Sequence, residues 1–307
     1  MRIRSGPAGF CVTAAIGAMV TAGFSWVTVL LGWSISTLIM LLLPMRRNDT
    51  GQGPPAVTLL MAVLAMTAAA LGAEGAFPED STFPFVSAML LLILWRALCG
   101  RRRGLQGTVT VLGMILLPVL GVVLLFGLGD VQWRENLPAA SPWFQVYVAV
   151  AAASPWWCLD LEKRTGRTWL WYGASGLMSL GLSLLTHGTL GGTLASVERF
   201  PLYRAVQTVR ILGALQRMEA LVAAVVLMGG FGVLLMLGEL AADSLKALPG
   251  KSDRRKTAAV LLTVFLLEWM FRALSGPAER VVETAFWVLT PVFALWVVFL
   301  TKPTENA

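Results

Sequence analysis

Along most of this chain apolar residues run for about a membrane thickness at a time, and short charged segments separate the runs. A helix needs about 20 apolar residues to cross ~30 Å of hydrocarbon. Only helices and closed barrels satisfy every backbone polar group in that medium. A barrel is excluded, because its strands alternate apolar and polar residues. The 307 residues are 57% hydrophobic and 13% charged, with a mean hydropathy of +0.73, too apolar for a soluble domain to hide. The expected fold is an all-α polytopic membrane protein, a single transmembrane domain over residues 1–307, since no loop is long enough to fold alone. No cleavable signal is expected. Arg2 and Arg4 precede an apolar segment that runs past signal length towards Leu43.

Breakers between the runs place spans at roughly 55–73, 83–99, 105–127, 142–160, 168–187, 215–243, 256–274 and 281–301. Residues 9–43 form one longer run, about 52 Å as a single helix. That is long for one span and short for two. Gly17 and Gly23 allow a broken half-helix followed by a span from about Thr21. With two spans in this run and a cytoplasmic N-terminus, the inner loops hold 17 of the 24 Lys and Arg residues. The outer side keeps Arg134, Arg199, Arg204, Arg210, Arg217, Arg272 and Arg280. The positive-inside rule therefore favours ten spans with both termini cytoplasmic. Nine spans with an outside N-terminus move only Arg2 and Arg4, so charge barely separates the two.

The sequence pI near 9.8 does not point to nucleic acid, because the basic residues are scattered through short loops as topology requires. Cys11, Cys99 and Cys158 form no CxxC pair, and no metal-ligand cluster or cofactor motif is visible. "GKS" at 250–252 lacks the earlier glycine of a phosphate loop, since position 245 is Leu. The single histidine, His187, has no acid or nucleophile close in sequence, and an enzyme is not expected.

The stretch "RFPLYRAVQTVRILGALQRMEAL" at 199–221 puts charge directly before a long apolar run. From Pro201 to Leu212 it is amphipathic: Leu202, Ala205, Val206, Val209 and Leu212 share one helical face, and Arg204, Gln207 and Arg210 another. By itself this reads as an interfacial helix feeding a span, with arginines snorkelling to the head groups.

These residues carry a resemblance. Pro201, Arg204 and Arg210, followed by Arg217 and Glu219 in "QRME", are similar to the "P…R" segment and "ERxE"-type motif of the spore germination B-subunit family, with Gln216 replacing the first acid. "AGFSWVTVLLGWSISTLIMLLLP" at 22–44, "FPEDSTFPFVSAMLLLILW" at 77–95 and "VQWRENLP" at 131–138 resemble the family's second span and the approaches to its fourth and sixth, in the same order. Members are permease-like subunits of nutrient germinant receptors within the amino acid–polyamine–organocation superfamily. This chain is shorter, mainly in the first span and the loops. Its segment 220–237 is almost wholly aliphatic and glycine, without the polar and aromatic residues common in the family's eighth span.

The resemblance implies a 5+5 inverted-repeat, transporter-like fold with a shortened first span. Its ligand would lie mid-membrane between unwound parts of the first and sixth spans. "AAIGAMVTAG" at 14–23 offers a break at Gly17, and "VAAASPWW" at 150–157 offers Ser154–Pro155, where proline removes a backbone hydrogen bond. Tyr147, Trp156 and Trp157 then line the site; in the alternative the two tryptophans form an interfacial belt and Ser154–Pro155 is only a kink. Partners would be an A-type membrane subunit, a C-type lipoprotein, a small nutrient such as an amino acid, and the bilayer itself, in a spore inner membrane or cell membrane.

Further charges fall within apolar runs. Glu268 and Arg272 are spaced to pair on one helix face, and Glu283 opens the last span. All three are expected near the outer ends of their spans, where water softens the cost, as a structural ion pair rather than a proton relay. Arg217 and Glu219 are two apart and cannot pair with each other, so Glu268 or Glu283 is expected to serve Arg217, and Arg272 or Arg280 to serve Glu219. Ser175, Ser179 and Ser183 form a small-residue packing seam. Three functions stay open: a nutrient sensor, a solute transporter without a visible coupling-ion site, or a scaffold subunit that binds nothing.

Overall fold

The computed structural model describes residues 5–42, 55–75, 84–99, 102–131, 143–154, 156, 166–198, 201–208, 218–248 and 254–273. Their regular structure is helix alone, with no strand among the described residues. The helices are α1 Ser5–Met19, α2 Trp26–Leu42, α3 Pro55–Gly75, α4 Phe85–Leu98, α5 Arg102–Gly127, α6 Trp143–Ala153, α7 Gly166–Leu190, α8 Gly192–Val197, α9 Pro201–Thr208, α10 Met218–Ala247 and α11 Arg254–Ala273. Short 3-10 turns occupy Thr21–Gly23 and Leu128–Asp130.

Among the described residues two helices, at Gly107–Gly127 and Ala220–Lys246, are long and apolar enough to cross a membrane. Only 28% of the first is buried against the rest of the chain. The core helix of a soluble bundle would hide its apolar residues. This one turns Val111, Met114, Ile115, Val122, Leu125 and Phe126 outward, with Leu125 74% exposed. Similar outward stripes run along α2 (Leu31, Ile35, Leu38, Leu42) and α11 (Leu262, Leu266, Trp269, Met270).

The long run at 9–43 holds two helices rather than one. α1 and α2 have 15 and 17 residues, so each is shorter than a full span. The break lies at Val20–Ser25. Gly17, expected to unwind, is inside α1, where it packs closely on Ser179 of α7.

α1 is the centre of the molecule. Every residue from Gly6 to Ala18 is buried, and α1 packs on α5, α7, α10 and α6. Small residues make this possible. A Cβ at Gly113 of α5 would fall on the Pro7 carbonyl of α1, and one at Gly229 of α10 would fall on Ala15. α2 and α6 approach in the same way, since a Cβ at Gly32 would meet Ala149. Without a hydrophobic drive between helices in lipid, close van der Waals approach is what holds such pairs. A second group forms where α3 packs on α10 and α11, and α4 on α10 and α11.

Candidate functional site

The break between α1 and α2 frees backbone groups that the structure satisfies locally. Thr21 Oγ1 returns a hydrogen bond to the Gly17 carbonyl at 3.2 Å, and the Phe24 N–H bonds the Thr21 carbonyl at 3.0 Å. From α7, Ser183 Oγ donates to the Phe24 carbonyl at 2.5 Å, and His187 Nε2 stands 3.2 Å from the Gly23 carbonyl. A carbonyl only accepts, so this ring nitrogen carries the hydrogen. His187 is therefore a clamp on the break. The expected serine seam is a packing surface: Ser175 donates to the Trp171 carbonyl, and Ser179 lies where a Cβ at Gly17 would come within 2.7 Å of its Oγ.

α8 and α9 cover the break. A Cβ at Gly23 would stand 2.9 Å from Pro201 Cγ and 3.0 Å from the Ala195 carbonyl. The amphipathic reading of this segment holds over the described part. Pro201, Leu202, Ala205 and Val206 are buried, while Arg204 and Gln207 are exposed. Arg204 bonds Gln207 Oε1 at 3.3 Å and pairs with Glu198 at 3.3 Å. Glu198 is a partner that no spacing in the sequence announces.

α6 ends at Ala153, Ser154 is a turn residue, and Trp156 is helical again. Trp156 is 1% exposed, which rules out an interfacial-belt position for it. It fills the α1–α6–α7 junction rather than facing an open site. Its six-membered ring lies under Gly9, its Nε1 donates to Thr13 Oγ1 of α1 at 3.3 Å, and its ring meets Tyr172 edge-on at 5.7 Å. Tyr172 also meets Trp33 at a tilt and Trp169 edge-on, and its hydroxyl reaches Thr37 Oγ1 at 3.1 Å and the Trp33 carbonyl at 3.3 Å. Thr13 and Tyr172 were not legible as site residues, because single polar residues in apolar runs carry no pattern. Tyr147 is half-buried on α6.

Two buried hydroxyls border the interruptions: Ser25 Oγ at the start of α2 and Ser154 Oγ at the end of α6 have no hydrogen-bond partner among the described residues. α6 also touches the 3-10 turn at Thr21–Gly23, while Trp156 beyond its C-terminal end packs on Gly9 and Thr13 of α1. A separate cleft of about 250 Å³ opens between α2 and α7, lined by Leu30, Trp33 and Thr37 and by Tyr172, Gly176 and Leu177. It opens where Leu30 and Leu177 are exposed, and it shares Tyr172 with the junction around Trp156.

Glu268 differs from its expected setting. It is fully buried on α11, not softened by water near a helix end, and Ser87 Oγ of α4 lies 2.5 Å from its Oε1. The reason is tertiary: α11 packs on both α3 and α4, which enclose this position. Pro155, Trp157, Arg210, Arg217 and Glu283 lie outside the described residues, as do the side chains of Glu219 and Arg272. Among the described residues, no three His, Cys, Asp or Glu side chains converge as metal ligands do.

No protein-family model matches this chain, and no curated protein matches it.

Proposed function

We propose that the chain is an integral membrane protein of two five-span repeats in opposite orientation, acting as the solute-sensing membrane subunit of a nutrient-germinant receptor. Support for the repeat comes from which helices pack together. Let α1 to α5 exchange in order with α6, α7, α10, α11 and the last apolar run at 281–301. Under that exchange α1 on α7 becomes α6 on α2, and both pairs pack. α3 on α11 becomes α10 on α4, and α3 on α4 becomes α10 on α11; all four pack. The pairs α1–α6, α2–α7, α3–α10 and α4–α11 map onto themselves, and all pack. Among the pairs whose counterparts are described, one departs: α1 packs broadly on α10, whereas α6 and α3 share at most a slight contact. Five spans per repeat is an odd number, so successive repeats have opposite topology. α1, at 15 residues, is the shortened first span of this reading. The charge bias puts both termini on the cytoplasmic side.

The observation that carries the binding function is the pair of helix interruptions, Val20–Ser25 and Ser154, each with a buried hydroxyl beside a helix end. Half-helix ends and unwound backbone bind small polar solutes in folds of this kind. The burial of Trp156 against Gly9 and Thr13 among the described residues favours a sensor over a carrier. In this reading the solute is small and amino-acid-like, and the change it causes passes to A-type and C-type partner subunits.

The test is purification in lipid nanodiscs and a thermal-stability screen against amino acids and other small nutrients, with uptake by proteoliposomes in parallel. A solute at 100 times its Kd should add about 2.7 kcal/mol of stability. Stabilisation without uptake supports the sensor. Stabilisation with uptake makes the chain a transporter. Co-purification with partner subunits but no stabilisation by any solute makes it a scaffold.

A further inference from the structure

We propose that α4 and α11 together form a binding face for an anionic phospholipid, its acyl chains lying on their outward apolar residues and its phosphate on Arg96 and the turn at Arg254, Arg255 and Lys256. This face is separate from the α1–α6 junction. It requires a chain that lies in a membrane, and it stands whether that chain senses, carries or only scaffolds.

The two helices pack on each other and run antiparallel. Ser87, the third residue of α4, meets Glu268 near the end of α11, with Ser87 Oγ 2.5 Å from Glu268 Oε1. The end of α4 therefore lies beside the start of α11. At about 1.5 Å per residue, Arg96 is about 13 Å from that contact along α4, and Arg255 about 20 Å from it along α11, in the same direction. α10 comes down to this end as well, since a Cβ at its Gly238 would meet Leu94 and Leu98 of α4. Each of the two helices turns one row outward. Phe85, Met89, Leu92 and Arg96 follow one another at three- and four-residue steps on α4, and all four are exposed. Arg255, Ala259, Leu262 and Leu266 do the same on α11. Both rows are apolar along the helix and finish in arginine at the shared end.

Charge chooses the head group. Among the described residues Arg96, Arg254, Arg255 and Lys256 make no ion pair. The acids at this end are Glu239 and Asp243 of α10, and Asp243 already pairs with Lys246 at 3.4 Å. Five described cations thus stand against two carboxylates. The charge bias assigns this end to the cytoplasmic side, where clusters of Lys and Arg beside a span attract anionic lipid. A phosphate accepts paired N–H donors from a guanidinium fork. Charge at one end and apolar surface beyond it on the same row match an amphiphile. A soluble anion would leave both apolar rows uncovered, and a purely apolar occupant would leave the arginines unpaired.

Native mass spectrometry of the full chain tests this, with the protein in neutral detergent holding equal amounts of phosphatidylglycerol and phosphatidylcholine of the same chain length. The wild type should retain phosphatidylglycerol in preference. Arg96→Gln and Arg255→Gln should each weaken that retention about fivefold, and the double variant about 25-fold. Arg167→Gln is the control: Arg167 is exposed at the start of α7, on the side also assigned as cytoplasmic, and α7 has at most a slight contact with α4 or α11 among the described residues. It should leave retention unchanged. Inorganic phosphate and an acidic peptide should not displace the lipid, and phosphatidylglycerol with short chains should bind more weakly than the long-chain form. Equal retention of the two lipids by the wild type would overturn the proposal, and that measurement needs no variant to fold. An equal loss in Arg167→Gln would reduce the effect to overall charge and overturn it too. Displacement by phosphate would make the face an anion site, displacement by the peptide would make it a protein-docking surface, and equal binding of short-chain lipid would remove the apolar rows; each of these refutes a phospholipid face.

Discussion

Gly113 and Gly121 lie on the same helix and should respond to the same substitution in opposite directions. In Gly113→Ala the new Cβ would fall on the Pro7 carbonyl of α1, a backbone atom that cannot rotate away. In Gly121→Ala nothing lies within 4 Å of the new atom. Replacing glycine by alanine inside a helix favours the helix by about 1 kcal/mol. That is the whole effect expected at Gly121. At Gly113, α1 must move off α5 to restore ordinary contact, and a gap of about 0.5–1 Å already forfeits a quarter to a half of each dispersion contact along the crossing. α1 is buried on all sides, so it cannot move without disturbing α7 and α10. Overpacking costs about 1–3 kcal/mol, and with backbone as the obstacle the upper end applies. After the helical gain, Gly113→Ala should lose about 2 kcal/mol and Gly121→Ala should gain up to about 1 kcal/mol. At roughly 2 °C per kcal/mol for a chain of this size, the apparent melting midpoints should differ by about 6 °C. Heating in detergent followed by size-exclusion chromatography reads this difference. Equal midpoints for the two variants would show that α1 and α5 do not cross at Pro7 and Gly113, and the central position of α1 would be wrong.

Trp156→Phe keeps a ring under Gly9 and removes the indole hydrogen bond to Thr13, so it should cost about 1–2 kcal/mol in the same melting assay. Trp156→Ala should cost about 3–5 kcal/mol, and a smaller loss would mean that the junction is not filled as described. Arg204→Ala should change the midpoint by no more than about 1 kcal/mol, because its pair with Glu198 is exposed to solvent on the arginine side; a larger loss would show that this pair holds the cover over the break. With ten spans and cytoplasmic termini, a cysteine at position 196 should be labelled by an impermeant reagent in intact cells and one at 252 should not. The reverse pattern would sink the topology and the repeat built on it.

Helices and their limits were legible in the sequence because they depend on local properties. The run expected at 105–127 is α5 at Arg102–Gly127, and that expected at 168–187 is α7 at Gly166–Leu190. The buried and exposed faces of α9 followed from periodicity alone, since a 3.6-residue repeat is set within one helix. The seam of Ser175, Ser179 and Ser183 was visible for the same reason. Tertiary structure decided what each polar residue meets. Of the two glycines offered for the break, Gly23 lies in it, whereas Gly17 lies inside α1 and packs on Ser179, a contact between residues far apart in the chain. Trp156 became a plug because α1 presents Gly9 and Thr13 to it, and nothing near position 156 encodes either. Spacing offered Glu268 the residue one turn away, whereas the described hydrogen bond comes from Ser87, 181 positions earlier. A helix sets which side a residue faces, but only the packing of other helices sets what stands on that side.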